Sequence, residues 1–444
     1  MNTESKKVGA RRAWLLALLT ALACSSDTHV GCSPTLTCSL RPSRFAPPVT
    51  RDAGPSDCDA TDRRCSAGDL SLGAQHACAV TDGSNLICWG DDSEGQRGKN
   101  LETVGALPDA GSYRNRFSHV LDRAQQVSAG AQHTCALQYT GSVNCFGLNA
   151  DGQVTGELDP RAVEPPVRVH PLGEVLQLAA GAKHTCGRTA DGVYCWGSNQ
   201  YGQSGRALSD ANPGPLLVPN TELVEEIACG VRHCCFRRAG KVACWGELID
   251  AQGAPYVSTQ PMPVEGLEGV LQIAAGAGHS CALQADGVMC WGLNDDGQLG
   301  DSSTLSSASP VRVRGIPVVV GYVAAGGGVM EGQLAGHSCA VDGVGQVWCW
   351  GRNAEGQLGR VVSADHLKPE VVQEYGATRD DLLDNISRVA LGGTFSCALG
   401  SSGAVWCWGD DSFGQLGTEE EPEHERRTPV AGEALRVRRF GRMR

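Results

Sequence analysis

From about residue 67 onwards, short apolar runs alternate with turns rich in Gly and Asp, and no stretch shows the periodicity of an amphipathic helix. Val270–Gly276 (VLQIAAG), His279–Leu283 (HSCAL) and Val288–Gly292 (VMCWG) are apolar runs of strand length. The dipeptide Asp286-Gly287 joins the second run to the third and predicts a tight β-hairpin. A fourth run, Pro310–Val313, precedes the next set. The pattern therefore predicts units of four short antiparallel strands.

This unit is present in seven copies. The segment Gly276–Gly300 (GAGHSCALQADGVMCWGLNDDGQLG) recurs with a Cys-(Trp/Phe)-Gly triplet at steps of 46 to 59 residues. Four strands about every 50 residues are typical of a propeller blade, and seven blades close a ring that leaves no long exposed sheet edge. We therefore predict an all-β fold, a seven-bladed β-propeller with four-stranded antiparallel blades. The predicted repeats lie near residues 69–126, 127–177, 178–226, 227–272, 273–323, 324–388 and 389–444.

The repeated motif GxxHTCAL…DGxVxCWGxNxxGQLG resembles the regulator of chromosome condensation repeat, whose family members form seven-bladed β-propellers. The resemblance covers about Asp69 to Gly417. It implies that the chain ends share a blade, with the tail Thr428–Val437 paired with the first repeat. It also implies protein binding, since members of the family mostly bind proteins. The namesake activity, nucleotide exchange on a small GTPase with chromatin binding, is not expected for an acidic, exported chain.

Each copy carries two cysteines nine or ten residues apart around a tight turn. Such residues fall opposite one another on adjacent antiparallel strands, within the Cα distance of a disulfide. Separate blades and the absence of CxxC pairs disfavour a metal site. We predict seven intrablade disulfides: Cys78–Cys88, Cys135–Cys145, Cys186–Cys195, Cys235–Cys244, Cys281–Cys290, Cys339–Cys349 and Cys397–Cys407. The further pairs Cys229–Cys234, Cys32–Cys38 and Cys58–Cys65 would close short loops, although the sequence does not determine their connectivity.

The chain begins with the features of an export signal. Four basic residues and one acidic residue within positions 1–12 precede the apolar stretch Ala13–Ala23, which is too short to span a membrane. Ala21-Leu22-Ala23-Cys24 resembles the lipobox of bacterial lipoproteins, in which the cysteine is acylated; simple cleavage near Ala23 is the alternative. We predict a signal peptide at 1–23, a lipidated flexible tether at 24–67 and the propeller at 68–444. The expected location is the outer membrane or cell surface, with the periplasm or secretion as alternatives.

The composition agrees with export. Twenty-one cysteines in 444 residues are typical of an oxidising compartment. The net charge of −12 becomes −15 once residues 1–23 are removed, which argues against nucleic-acid binding. No apolar run reaches the roughly 18 residues of a membrane span, so membrane attachment is expected through the lipid anchor only. We expect a monomer.

Several residue types recur at equivalent positions. Because one copy has Phe395 at the histidine position, we interpret these histidines as structural rather than as a ring of ligands around the axis. We interpret the tryptophans after the second cysteine as inter-blade packing rather than as sugar platforms. The acidic doublets are interpreted as solvated turn residues, with calcium as the alternative. The histidines are His76, His133, His184, His233, His279 and His337; the aromatic residues are Trp89, Phe146, Trp196, Trp245, Trp291, Trp350 and Trp408; the doublets are Asp91-Asp92, Asp295-Asp296 and Asp410-Asp411.

Departures from the repeat mark candidate functional loops, since function in a regular scaffold usually resides in loops, with drift on an unselected surface as the alternative. Unit four replaces the Gly-Gln-Leu-Gly ending with Glu247–Asp250. Unit six lengthens the spacing between Gly326 and His337, which predicts an inserted Gly-rich loop. Longer connections occur at Lys99–Arg123 and Arg360–Asn385.

The sequence contains no nucleophile elbow, phosphate loop or zinc-protease motif, and we predict no catalytic, cofactor-binding or metal-binding residue. The first functional hypothesis is a non-enzymatic cell-surface or periplasmic propeller that binds a protein partner of unknown identity. The alternative is a glycan-binding lectin or adhesin of the cell envelope. A hydrolase is a third hypothesis, for which the sequence offers no catalytic set.

Overall fold

The computed structural model describes residues 67–98, 118–159, 161–316, 319–360, 365–372, 383, 385–417 and 435–436. Within this part of the chain every regular element is a β-strand. The same part contains no helix with the length and apolar character of a membrane span. The predicted signal peptide at 1–23 and the cysteines Cys24, Cys32, Cys38, Cys58 and Cys65 lie outside the described residues.

The described residues form 28 strands in seven antiparallel sheets of four, each of which is a blade. Blade 1 contains β1 (Ala67–Leu72), β2 (His76–Thr81), β3 (Leu86–Gly90) and β4 (Ser118–Leu121); blade 2 contains β5 (Ala124–Ala129), β6 (His133–Gln138), β7 (Val143–Gly147) and β8 (Val163–Arg168). Blade 3 contains β9 (Gln177–Ala180), β10 (His184–Arg188), β11 (Val193–Asn199) and β12 (Ser209–Leu217); blade 4 contains β13 (Glu226–Cys229), β14 (His233–Arg238), β15 (Lys241–Ile249) and β16 (Pro255–Pro263).

The remaining three blades repeat this arrangement. Blade 5 contains β17 (Gln272–Ala275), β18 (His279–Gln284), β19 (Gly287–Gly292) and β20 (Ser307–Arg312); blade 6 contains β21 (Val320–Met330), β22 (Gln333–Asp342), β23 (Val347–Gly351) and β24 (His366–Val371). Blade 7 contains β25 (Ile386–Leu391), β26 (Phe395–Gly400), β27 (Val405–Gly409) and β28 (Leu435–Arg436). The predicted all-β, seven-bladed propeller with four-stranded antiparallel blades is confirmed.

The ring closes without a blade shared between the chain ends. β28 pairs with β27, with Leu435 opposite Cys407. The expectation that the tail pairs with the first repeat is therefore wrong for the described part of the tail. The physical reason is that β1 to β4 already complete blade 1, so the position left open for the tail is the outer edge of blade 7.

Side chains connect the first strands of neighbouring blades around the axis. Gln272 accepts a hydrogen bond from the Val323 amide and donates one to the Val323 carbonyl, both at 3.0 Å. In the same way, Gln126 bridges blades 2 and 3, and Gln177 bridges blades 3 and 4. Between the last and first blades, Arg388 forms an ion pair with Asp69 at 3.1 Å. These pairs replace the main-chain ladder that separate sheets lack.

The hydrophobic core lies between blades. At the junction of blades 5 and 6, Trp350 is fully buried in one cluster with Leu283, Val288 and Leu299 of blade 5. Truncation of such a side chain to alanine typically costs about 3–5 kcal/mol. The tryptophans therefore hold neighbouring blades together.

Both ends of each blade carry turns, but the two ends differ. The turn between strands 1 and 2 meets the connection between strands 3 and 4, as the Leu293 amide shows by donating to the Gly278 carbonyl at 2.8 Å. We call this end of the ring the turn face. The opposite face carries the tight turns between strands 2 and 3.

Candidate functional site

The seven predicted intrablade cysteine pairs are disulfides in the structure, and each joins directly opposite residues of strands 2 and 3. An eighth disulfide, Cys229–Cys234, joins strands 1 and 2 of blade 4, where the two residues are also paired in register. The Cα–Cα distances are 4.0–4.1 Å.

Each histidine at the recurring position forms a hydrogen bond between blades. His279 Nε2 lies 2.8 Å from Ser338 Oγ of the next blade. Ser338 Oγ donates its proton to the Gln298 carbonyl at 3.0 Å, so it accepts from His279 Nε2–H. The equivalent contacts are His76–Thr134, His133–Thr185, His184–Cys234, His233–Ser280 and His337–Ser396. In all six rings Nε2 is therefore used in a contact with the neighbouring blade, and it does not point to a common ligand on the axis.

Burial holds these imidazoles neutral. Desolvation lowers the pKa of His279 to about 3 and that of His233 to about 4. A Cβ on Gly276 would lie 2.5 Å from His279 Cε1, which explains the glycine three residues before five of the six histidines. Phe395 takes the histidine position in blade 7 because the next blade presents Ala77, which has no hydroxyl to accept the hydrogen bond.

One cluster has the composition of a metal site. Ligand atoms of His184, Cys186, Cys229 and Cys234 lie within 4.8 Å of one another. All three sulfurs belong to disulfides, so the cluster offers no thiolate. We therefore assign no metal to it.

The acidic doublets of blades 1 and 7 organise the turn that follows them. Asp91 Oδ2 accepts a hydrogen bond from Gln96 Nε2 at 2.7 Å, and Asp92 Oδ1 accepts from the Arg97 amide at 2.9 Å. Asp410 and Asp411 make the equivalent contacts. In blade 5 the position of Asp92 is taken by Asn294, whose Oδ1 accepts a hydrogen bond from the Leu299 amide. These carboxylates are thus turn residues with protein partners, more specific than the solvated role expected from sequence.

Sequence reasoning did not identify the buried glutamine of this turn as a functional residue of the scaffold. Gln298 Oε1 accepts from the Asp296 amide, and its carbonyl accepts from the Trp350 indole at 2.9 Å. The recurring Gly-Gln dipeptide and the Ser or Thr after most of the histidines were the available signals.

Blade 6 departs from the repeat on the turn face. The predicted Gly-rich loop is wrong, because β21 and β22 continue as a ladder through five further pairs, from Gly326–His337 to Met330–Gln333. A Cβ on Gly326 would lie 2.3 Å from Leu391 Cβ, so glycine here permits close packing against blade 7 rather than a loop. We call residues 326–337 the blade 6 hairpin.

The base of the blade 6 hairpin is tied to blade 5. The Gly336 amide donates to Asp296 Oδ2 at 2.9 Å, and Arg352 lies 3.8 Å from the same carboxylate. Burial raises the pKa of Asp296 despite these contacts. The hairpin also crosses the strand 1–2 turn of blade 5, since a Cβ on Gly278 would lie 3.1 Å from Leu334 Cδ1.

Blade 4 departs in a second way. β15 continues straight through the positions at which the other blades form the Gly-Gln turn, and β16 returns beside it, with Leu248 opposite Tyr256. We call residues 247–257 the blade 4 hairpin. It approaches blade 3, since a Cβ on Gly202 would lie 3.1 Å from Val257 Cγ1. Arg232, which forms an ion pair with Glu247 at 3.1 Å, stacks over the Tyr201 ring of blade 3 at 4.2 Å. Most of the long connections at 99–123 and 360–385 lies outside the residues that the structure describes.

Comparison with known proteins agrees with this architecture. A family model described as the Regulator of chromosome condensation (RCC1) repeat matches residues 69–96, 124–153, 175–203, 270–298 and 386–415. A second model of the same description matches residues 191–237, 286–329 and 344–399. Together these matches span more than half of the chain, and neither includes the blade 4 hairpin.

Relatives with the same repeats are known from eukaryotes. The chain is 26% identical over 359 residues to the Regulator of chromosome condensation of Xenopus laevis, covering 80% of this chain and 73% of that protein. It is 30% identical over 159 residues to the Ultraviolet-B receptor UVR8 of Arabidopsis thaliana, and this match spans 35% of each protein. The crystal structure of human WBSCR16 superposes with a TM-score of 0.66 at 23% identity, covering 80% of this chain and 94% of that one.

Proposed function

Because the chain belongs to the regulator of chromosome condensation (RCC1) repeat family, we propose that it is a non-enzymatic propeller that binds a protein partner through its turn face. The two large departures from the seven-fold repeat, the blade 6 hairpin and the blade 4 hairpin, both belong to this face. The other blades are held to one pattern by the hydrogen bonds of their junctions. These two hairpins are therefore the elements through which the turn face can recognise a specific partner.

The observation that carries the proposal is the blade 6 hairpin. It is ordered by a continuous main-chain ladder and by the contact of Asp296 with its base, yet Val329 near its tip is 47% exposed. An apolar side chain on a rigid projection is a preorganised contact, which costs little entropy to bind. The blade 4 hairpin adds Tyr256 and Val257, which are 39% and 40% exposed.

We propose that this binding takes place outside the reducing cytosol, at the cell surface or in the periplasm. Eight disulfides within the described residues support an oxidising compartment. The leader at 1–23 and Cys24 support export with a lipid anchor. Metabolic palmitate labelling of the full chain and of Cys24→Ser tests the anchor: equal labelling of both would contradict it.

A capture experiment tests the proposed protein-binding function. The full chain is incubated with envelope extract, bound proteins are identified, and Val329→Ser is compared with Val344→Ser. Val344 is a matched control, since it is 68% exposed on the opposite face of the same blade. We expect a saturable protein partner whose retention falls for Val329→Ser and is unchanged for Val344→Ser.

The same material is applied to a glycan array. Glycan binding without any protein partner would contradict the proposal in favour of a lectin. A partner lost equally with both valine variants would contradict the assignment to the turn face.

A further inference from the structure

At six of the seven blade junctions, a glutamine carbonyl from one blade accepts hydrogen bonds from the next. The Gln298 carbonyl accepts from Trp350 Nε1 at 2.9 Å and from Ser338 Oγ at 3.0 Å. The equivalent bonds run from Thr134 to Gln96, from Thr185 and Trp196 to Gln153, from Trp245 to Gln203, from Ser396 and Trp408 to Gln357, and from Trp89 to Gln415. One carbonyl oxygen thus satisfies up to two buried donors.

The junction between blades 4 and 5 lacks this acceptor. β15 runs straight where the Gly-Gln turn would form, and the two donors of blade 5 remain in place. Trp291 and Ser280 are 6% and 2% exposed, respectively. Among the described residues, the Trp291 indole N–H has no acceptor. Ser280 Oγ lies 2.8 Å from His233 Nε2 and 3.5 Å from the disulfide sulfur of Cys235. Both donors converge on the position of the missing carbonyl.

A cavity of about 230 Å³ occupies this junction, and Trp291 and Ser280 line it. Leu248, Tyr256 and Met262 form its apolar wall. This volume is smaller than the roughly 300–1,000 Å³ of sites for drug-sized ligands but far larger than one water molecule needs. At the next junction the turn also supplies Leu299, which packs beside Trp350. The cavity therefore lacks the carbonyl and the leucine that follows it in the turn, and Leu248 of blade 4 packs against the cluster that contains Trp291.

We propose that this cavity binds a turn of a protein partner that presents a main-chain carbonyl followed by a small apolar side chain, in place of the turn that blade 4 lacks. This inference rests on the proposed protein-binding function and names its site. At the cavity the Glu247 carboxylate is ion-paired with Arg232 at 3.1 Å, and the carboxylate of Glu265 disfavours an anionic ligand, so the partner's turn is neutral or basic. Gly278 lines the cavity and lies under Leu334, so the site adjoins the blade 6 hairpin.

The probe is the capped tetrapeptide acetyl-Gly-Gln-Leu-Gly-amide, which copies Gly297–Gly300. Titration into the full chain is followed through the indole N–H resonance of Trp291, assigned with Trp291→Phe. We expect a saturable downfield shift of this resonance, while the resonances of indoles already bonded to glutamine carbonyls stay in place. Absence of a saturable shift at millimolar peptide would overturn the proposal.

Two substitutions remove one donor each and have precedents in the chain itself. Phe146 occupies the position of Trp291 in blade 2. Ala77 occupies that of Ser280 in blade 1, where the facing residue is Phe395, so Ser280→Ala is combined with His233→Phe to leave no unpaired imidazole. Trp291→Phe and the double variant His233→Phe/Ser280→Ala are each expected to weaken peptide binding by about tenfold, the effect of one buried hydrogen bond. Trp350→Phe is the matched control and leaves the affinity unchanged. Equal affinity of the wild type and Trp291→Phe would overturn the assignment.

These experiments distinguish a failure of the cavity assignment from a failure of the proposed protein-binding function. If a captured partner is retained equally by Trp291→Phe and is not displaced by the tetrapeptide, the cavity assignment fails while protein binding stands. If the tetrapeptide binds with the expected variant effects and no partner is captured, the cavity chemistry stands and the proposed function fails. The exposed segment Gly332-Gln333-Leu334 repeats the missing motif, so self-association abolished by Trp291→Phe would overturn the proposal by assigning the cavity to a second copy.

Discussion

At one recurring position of strand 2, each blade carries histidine or phenylalanine, and the choice depends on the side chain that the next blade presents to it. Where the neighbour offers a hydroxyl, as Ser338 does to His279, the position is histidine. Where the neighbour is Ala77, the position is Phe395, which is fully buried and needs no acceptor. A neutral buried imidazole is stable here because its Nε2–H is paired, whereas its protonation would place a charge in the core.

This arrangement predicts loss of stability in acid. The unfolded histidines bind protons below about pH 6.5, whereas burial keeps the folded pKa of His279 near 3. Each such histidine therefore contributes stability that is present above pH 6.5 and is lost as the pH falls towards 3, at up to about 1.4 kcal/mol per pH unit. We expect the free energy of unfolding of His279→Phe to depend less steeply on pH between 6 and 4 than that of the wild type, as measured by denaturant titration.

The reverse substitution provides the control. Phe395→His adds a buried imidazole and is expected to steepen the same dependence. Identical slopes for the wild type and both variants would contradict the assignment of acid sensitivity to these positions.

At the scale of the element, the unit is the hairpin of strands 2 and 3 with its disulfide. Residues nine or ten apart are brought into direct opposition by the turn, as Cys281 and Cys290 show with Cα atoms 4.1 Å apart. This pairing was readable from the spacing because it depends on local geometry alone. The blade 6 hairpin was not readable in the same way: its glycines indicated a loop, whereas Gly326 permits the close approach of Leu391 from another blade.

We predict that the double variant Cys281→Ala/Cys290→Ala loses about 2–3 kcal/mol of unfolding free energy, the value expected for closing a loop of this length. The comparison is Cys229→Ala/Cys234→Thr, which removes a shorter crosslink and offers His184 a hydroxyl of the kind used at other junctions. We expect this second variant to lose less stability in denaturant titrations. A larger loss than for the first variant would contradict the role assigned to the hydroxyl position.

At the scale of the molecule, the ring is closed by contacts between complete blades. Arg388 pairs with Asp69, the Trp89 indole donates to the Gln415 carbonyl at 2.9 Å, and the Ala67 amide donates to the Gly403 carbonyl at 2.9 Å. β28 adds an outer edge to blade 7 through two residue pairs and takes no part in these contacts.

Deletion of residues 418–444 is therefore expected to leave a closed, cooperatively unfolding ring. The loss of a short edge strand should lower the melting temperature by no more than about 2–4 °C, because about 1 kcal/mol corresponds to that shift in a domain of 150–250 residues and to a smaller one in a larger domain. Calorimetry of the deletion variant and the full chain checks this. Failure of the deletion variant to fold would show that the tail closes the ring.

Contacts between residues about ten apart follow from the chain directly: the strands, their hairpin pairing, the disulfide partners and the number of blades. Contacts between residues about 50 apart do not, because each requires two blades to be packed side by side. The hydroxyl or sulfur that each histidine contacts, the glutamine carbonyl that five of the six tryptophans bond to and the blade that receives the tail belong to this second class. The open junction at Trp291 belongs there as well: its donors are visible in the sequence, but only the packed ring shows that blade 4 presents no glutamine carbonyl to them.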